Sequence, residues 1–201
     1  MILALEFSTR ISSWALQDES GRIRQAELEL DRFRAEDVLP ALEAFLDEQL
    51  PDSSRLSEIR VGRGPGNFSG VRLALSWAIG WAAAGELRLR AVSSGVAWAH
   101  RLEAENESCF AILGDARRGQ LWGACWPEAR VDFNWELLPP EAWPERIQGR
   151  PVYSAEAERL PETLKAQRGG PHARDLFPLP DSALQDPLEP LYLHPAVAPK
   201  P

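Results

Sequence analysis

One pattern occurs twice along the chain: a meander of short strands, then a helix, then another strand. Residues 1–7 form an apolar run, residues 13–17 continue extended, residues 18–21 turn, and residues 23–30 alternate apolar and polar. Residues 36–50 then carry Val38, Leu39, Leu42, Phe45 and Leu46 on one helical stripe, with Asp37, Glu43 and Glu48 turned outward. A strand over 57–63, a helix over 71–84, a strand over 89–92 and a helix from Ser93 or Ser94 to about Glu105 complete the first half. The second half begins alike, with strands over 109–113, 120–126 and 131–137, a helix over 139–148 and a strand over 151–154. Such a repeat predicts an α/β protein of two related lobes, divided as residues 1–106 and 107–201. Beyond about Leu160 the chain turns Pro-rich. Residues 169–190 show no helical period and read as an extended cover over the second lobe. Residues 191–193 read as a closing strand and residues 196–201 as a frayed tail.

A formal net charge of −8 disfavours an electrostatic groove for nucleic-acid phosphates. Cys109 and Cys125 sit in strand-like segments without metal-ligand spacing, and read as small buried apolar residues. No apolar run is long enough to cross a membrane and no leader pattern opens the chain, so a cytoplasmic protein is expected. Eight Trp are many for 201 residues, and several should lie in cores or interfaces.

Between the strand over 57–63 and the following helix lies Gly62-Arg-Gly-Pro-Gly-Asn-Phe-Ser-Gly70. Gly62, Gly64, Gly66 and Gly70, with Asn67 and Ser69, make a loop that turns tightly and lets another chain segment approach. A strand-to-helix position suits anions, yet neither phosphate-loop pattern fits, so a structural turn is the stronger reading. The helix behind it is apolar nearly all round. Leu73, Trp77, Trp81 and Ala84 form one stripe; Leu75, Ala78, Ile79 and Ala82 form another. One side should face its own sheet, and the other needs an internal layer or a partner. No catalytic set emerges. His100, His172 and His194 are scattered, Glu6 reads as a buried hydrogen-bonding acid, and Asp115 with Arg117 as a turn with a local charge pair.

Four passages in order resemble the TsaB family: Ile2-Leu-Ala-Leu-Glu-Phe-Ser-Thr9, Gly62 through Arg72, Asp115-Ala-Arg-Arg-Gly119 and Pro190-Leu-Tyr-Leu193. The resemblance covers roughly residues 1–126. It implies an ASKHA (actin-like/Hsp70-like) fold with a reduced C-terminal lobe. It also implies a non-catalytic subunit that binds and activates TsaD, a threonylcarbamoyltransferase acting on N6 of an adenosine in tRNAs that read codons starting with A. Further implied partners are the ATPase TsaE, a second copy of the chain when alone, and tRNA indirectly through the complex. No cofactor or metal of its own is implied, although weak nucleotide binding at the partner interface is allowed. The partner face maps onto Val38, Leu42 and Phe45 of the first helix and Arg72, Leu73, Ser76, Trp77, Gly80, Trp81 and Ala84 of the second.

This sequence departs from the family pattern where Arg34-Ala-Glu36 replaces the usual His-Ser-Glu, where Asn67-Phe-Ser69 replaces Ser-Phe-Thr, and where His194 replaces an Arg. A rival expectation is an ASKHA-type kinase or hydrolase with its own active site. Against it, the opening hairpin Glu6-Phe-Ser-Thr-Arg10 has no Gly at its turn, and Asp115 is followed by Ala116 instead of Gly.

Overall fold

The structure is a computed structural model that describes residues 1–83, 85, 87–128, 134–184 and 187–193. Among these, strands β1 (Ile2–Glu6), β2 (Ile11–Gln17), β3 (Ile23–Glu29), β4 (Glu58–Gly62) and β5 (Arg88–Val92) form one sheet in the order β3-β2-β1-β4-β5. Strands β6 (Phe110–Arg117), β7 (Gln120–Trp126), β8 (Glu136–Leu138), β9 (Val152–Ser154) and β10 (Gln167–Arg168) form a second sheet in the order β10-β9-β6-β7-β8. In each sheet the first three strands are antiparallel and the next two run parallel to the first. The two halves thus share one topology, as expected of a two-lobed ASKHA fold.

What differs is the crossovers. In the first lobe, helix α1 (Ala35–Gln49) joins β3 to β4 and helix α2 (Phe68–Ala83) joins β4 to β5. Helix α3 (Ser94–Ala104) follows β5 and bridges the lobes. Its Ala97 joins a cluster against the first sheet, while Trp98, Ala99 and Leu102 pack with Phe110, Ile112 and Trp126 of the second. In the second lobe, a short turn and helix α4 (Trp143–Ile147) stand in the place of α1, and two single 3-10 turns stand in the place of α2.

Side-chain alternation along β1 and β2 sets which layer covers which face. Leu3, Leu5, Trp14 and Leu16 point to the face covered by α1 and α2. Ala4 and Ala15 point to the other face, where small side chains admit a closely packed irregular segment. That segment is the Pro-rich stretch after residue 169. It covers the first lobe's sheet, not the second lobe as expected, through Ala173, Leu176, Phe177, Leu179 and Leu184. We refer to residues 169–193 as the strap.

Side chains hold the strap where regular structure does not. Arg60, buried on β4, donates through Nη1 to the carbonyl oxygens of Leu176 (2.8 Å) and Phe177 (2.9 Å) and through Nε to Glu58 (2.6 Å). Ala173 N donates to Ser13 Oγ at 2.9 Å. Arg101 of α3 reaches Asp175 (3.1 Å) and the Gly170 carbonyl (2.7 Å). Burial raises the Asp175 carboxyl above its usual range, and the Arg101 charge opposes that rise.

Three other expectations are corrected. Residues 191–193 form no strand, although Leu191 N donates to the Arg63 carbonyl at 2.9 Å. Cys109 is exposed, unlike Cys125. Helix α2 begins at Phe68, three residues earlier than its apolar period suggests, because Asn67 starts it. Of the expected strand over 131–137, residues 131–133 lie outside the described residues, as does the tail over 196–201. Among the described residues no helix is long and apolar enough to cross a membrane.

Candidate docking face and inter-lobe cleft

The glycine loop packs against the carboxyl end of β1. A Cβ at Gly62 would overlap Glu6 Oε2; at Gly66 it would overlap the Ser8 carbonyl, and at Gly70 the Phe7 carbonyl. Gly66 also adopts φ +147, a region open to glycine. Asn67 N donates to the Ser8 carbonyl at 2.6 Å, and Asn67 Oδ1 accepts from Gly70 N at 3.3 Å, satisfying a free donor at the start of α2. Gly64 exchanges hydrogen bonds with Ser94, its N–H donating to Oγ (2.9 Å) and its carbonyl accepting from Ser94 N (2.7 Å). The loop's donors are therefore largely spent on its own chain, in keeping with a structural turn.

Glu6 lies at the centre of this packing and is fully buried. Its Oε1 accepts from Ser8 N at 2.8 Å. Its Oε2 has no partner of good hydrogen-bond geometry, although the Ser8 and Ser94 hydroxyls lie near enough to ease its charge. Burial dominates and pushes the carboxyl above its usual range.

Helix α2 buries Val71, Ala74, Leu75 and Ala78 against the sheet. Leu73, Trp77 and Trp81 are half-buried, and Arg72, Ser76 and Gly80 are exposed. Ala84 lies outside the described residues. The Trp77 and Trp81 rings stack, with centroids 4.8 Å apart and planes at 23°. Ile79, grouped by its spacing with the inward stripe, is 45% exposed. It lies about a quarter-turn from the buried row. On α1, Phe45 is half-buried against the same cluster. Val38 and Leu42, assigned to the partner face, are fully buried. The stripe that makes α1 amphipathic seals the core, so those two side chains support the face without presenting it.

A cleft of about 580 Å³ opens between the lobes. Ser8 and Thr9 of the β1–β2 turn, Asp115 and Arg117 of the β6 end, Trp98, Trp122, Glu156 and Arg159 line it, as do Asn67 and Ser69 of the glycine loop. Three of its guanidinium groups are engaged, Arg10 with Asp31 (2.9 Å) and Glu158 (3.2 Å), Arg117 with Asp115 (2.8 Å), and Arg159 with Glu156 (2.6 Å), while Arg32, which also lines it, is in ion-pair distance of no carboxylate among the described residues. Burial raises the Glu156 carboxyl, opposed by Arg159 and then Arg117. A phosphate entering here would compete with these carboxylates for each of the three paired cations. Asp115 Oδ1 also accepts from Arg117 N at 2.7 Å, the local turn contact read from sequence. Sequence reasoning does not single out Trp98, Trp122, Glu156 or Arg159. For Glu156 a signal exists, since it follows a parallel strand at the end where α/β sheets gather ligands. Among the described residues no cluster of His, Cys, Asp or Glu could hold a metal ion.

Comparison with known proteins places this geometry in context. The family model described as TsaD: tRNA N6-adenosine threonylcarbamoyltransferase matches residues 29–125. The tRNA threonylcarbamoyladenosine biosynthesis protein TsaB of Escherichia coli (strain K12) is 31% identical over 156 residues, covering 73% of this chain. The match spans about two thirds of that relative's length, 66%. Among solved structures, an uncharacterized protein with similarity to peptidase YEAZ from Pseudomonas aeruginosa is 30% identical with a TM-score of 0.73, covering 96% of this chain and 99% of that one. YeaZ from Pseudomonas aeruginosa is 29% identical with a TM-score of 0.70 over the same shares. With two matching lobes, the glycine loop on β1 and near-complete coverage of these solved structures, the chain belongs to the TsaB/YeaZ family.

Proposed function

We propose that this protein takes part in threonylcarbamoyladenosine biosynthesis on tRNA, as a non-catalytic subunit that binds and activates a TsaD-like transferase. The observation that carries this reading is the outer face of α2. Leu73 and the stacked Trp77–Trp81 pair rest against the core yet stay half-exposed along one edge of the helix, and Ile79 is exposed along the other. Large aromatic side chains around small or hydroxyl residues such as Ser76 and Gly80 suit close packing of a partner's helices. The same face serves a second copy when the transferase is absent. TsaE and tRNA join through the transferase, in the cytoplasm, and any nucleotide binds weakly at the partner interface.

In the inter-lobe cleft Arg10, Arg117 and Arg159 are engaged with carboxylates and offer little to a triphosphate, which leaves Arg32 alone to meet one and supports the non-catalytic part of this reading. A kinase or hydrolase working in the cleft is the rival, and ATP turnover by the isolated chain would overturn the non-catalytic role.

The docking claim is tested by pull-down with a purified TsaD-like protein, using Trp77→Glu/Trp81→Glu and, separately, Ser76→Arg. Ser76 is exposed, so its variant blocks the face without entering the core. Circular dichroism establishes that each variant is folded. Capture of both folded variants at the wild-type level would remove the docking role from α2.

A further inference from the structure

We propose that the docking face continues beyond α2 onto the strap, where Phe68 and Tyr192 together receive an apolar partner side chain flanked by a carboxylate. The inference rests on the docking reading and extends it to the motif Pro190-Leu-Tyr-Leu193, which that reading leaves unused.

Five large apolar side chains are strongly exposed among the described residues, and four of them lie on α2 or the strap: Phe68, Ile79, Leu188 and Tyr192. Phe68 is 50% exposed and Tyr192 57%, yet their rings meet at a centroid distance of 5.5 Å. Tyr192 is held there by the backbone. Arg63, in the glycine loop, accepts at its carbonyl from Leu191 N (2.9 Å) and donates from Nε to the Glu189 carbonyl (2.9 Å). The end of the strap is thus fastened to the loop that leads into α2. A preformed aromatic pair loses little conformational freedom on binding.

Charge says what this end of the face receives. The Arg72 guanidinium lies over the Phe68 ring, 5.2 Å from its centroid. Neither Arg72 nor Arg32, which lines the mouth of the cleft together with Phe68 and Tyr192, is in ion-pair distance of a carboxylate among the described residues, whereas Arg10, Arg117 and Arg159 are paired. In a chain of net charge −8, two uncompensated guanidinium groups beside exposed aromatics complement an acidic residue next to an apolar one. A transferase presenting that pair on a helix is the occupant the surface fits.

The test measures affinity for a TsaD-like protein by titration calorimetry, with the full chain. Tyr192→Ala is expected to weaken binding about tenfold and Tyr192→Phe by less than about twofold, because the ring carries the contact. Arg72→Glu should weaken it further and reduce its salt sensitivity. Wild-type affinity in Tyr192→Ala, alongside loss in Ser76→Arg, would overturn this inference and leave the docking reading intact. Wild-type affinity in both would overturn both. Sedimentation equilibrium supplies the last arm: if Tyr192→Ala impairs only self-association, the occupant is a second copy and the proposed transferase contact falls.

Discussion

The two lobes use the same strand order for opposite ends. The first closes its sheet with two full helices and leaves Leu73, Trp77, Ile79 and Trp81 of one of them partly or strongly exposed. The second covers its sheet with a five-residue helix and single turns, and spends the residues so released on a strap laid over the first lobe. Strand topology is therefore shared by the lobes, and the crossovers set them apart. A long apolar crossover such as α2 carries more large apolar side chains than its own sheet buries. The short α4 puts Trp143 and Ile147 into its own lobe's core.

The contrast between the lobes is sharpest at two glycines. Gly70 packs against the Phe7 carbonyl, so Gly70→Val forces the backbone of the first lobe apart and should cost about 3 kcal/mol or more in urea unfolding. Gly119, at the tip of the β6–β7 hairpin in the second lobe, has nothing within 4 Å of a built Cβ and a φ of +74. Gly119→Val there should cost only the strain of a left-handed residue, roughly 1–2 kcal/mol. Equal costs would mean that the glycine loop is not the tighter site.

Leu42→Ala comes next. Because the side chain is fully buried, a loss of about 2–5 kcal/mol is expected, whereas the half-buried Phe45 should lose less on the same change. If Leu42→Ala instead leaves stability unchanged and weakens partner binding, then α1 presents that stripe outward and its placement under the core is mistaken.

Smaller, and different in kind, is the effect of Glu6→Gln. A carboxyl whose folded value is raised binds its proton more tightly in the folded state. The wild type is then most stable below the unfolded carboxyl range and loses stability as pH rises from that range towards the raised value. Gln keeps an acceptor for Ser8 N and does not ionise. Urea unfolding of Glu6→Gln should therefore match the wild type near pH 4 and show the variant as the more stable protein at pH 7. A variant that loses as much stability as the wild type between those two pH values would show that the titration belongs to another group.

How much of this was legible in the sequence follows from what each signal depends on. Strands β1 to β7 and β9 and helices α1 to α3 announce themselves by period, since alternation and the 3.6-residue repeat survive in any tertiary setting, whereas the two-residue β10 is too short to carry one and was not expected. The strap does not, because Arg60, Ser13 and Arg101 hold it through backbone groups of residues that carry no pattern. Its one trace is on the receiving side, where Ala4 and Ala15 alternate with Leu5 and Trp14. For the site, amphipathicity misled at Val38 and Leu42, since an apolar stripe on a helix with one apolar side marks its own core. At Trp77 and Trp81 the stripe reading meets side chains that are only half-buried against the core. Phe68 escaped notice because Asn67 starts the helix early and turns the loop's Phe into its first residue.

The smallest effect concerns how the lobes are joined. Arg10 spans from the first lobe to Glu158 of the second, and Arg168 of β10 binds Glu29 of β3, at side chains that are substantially exposed. Exposed ion pairs contribute about 0–1 kcal/mol each and fade with salt. The strap, by contrast, joins the lobes through buried apolar contacts and the Arg60 and Arg101 bonds. Arg10→Ala/Arg168→Ala should therefore lower stability by about 1 kcal/mol or less at low ionic strength and by almost nothing at an ionic strength of about 0.5 M, where screening reaches within a few ångströms. Arg60→Met should keep its penalty at every salt concentration, because Glu58 is left buried with only the more distant Arg90 and Arg88, and the Leu176 and Phe177 carbonyls lose their donor. A larger salt-sensitive loss in the double variant than in Arg60→Met would make surface charge, not the strap, the joint between the lobes.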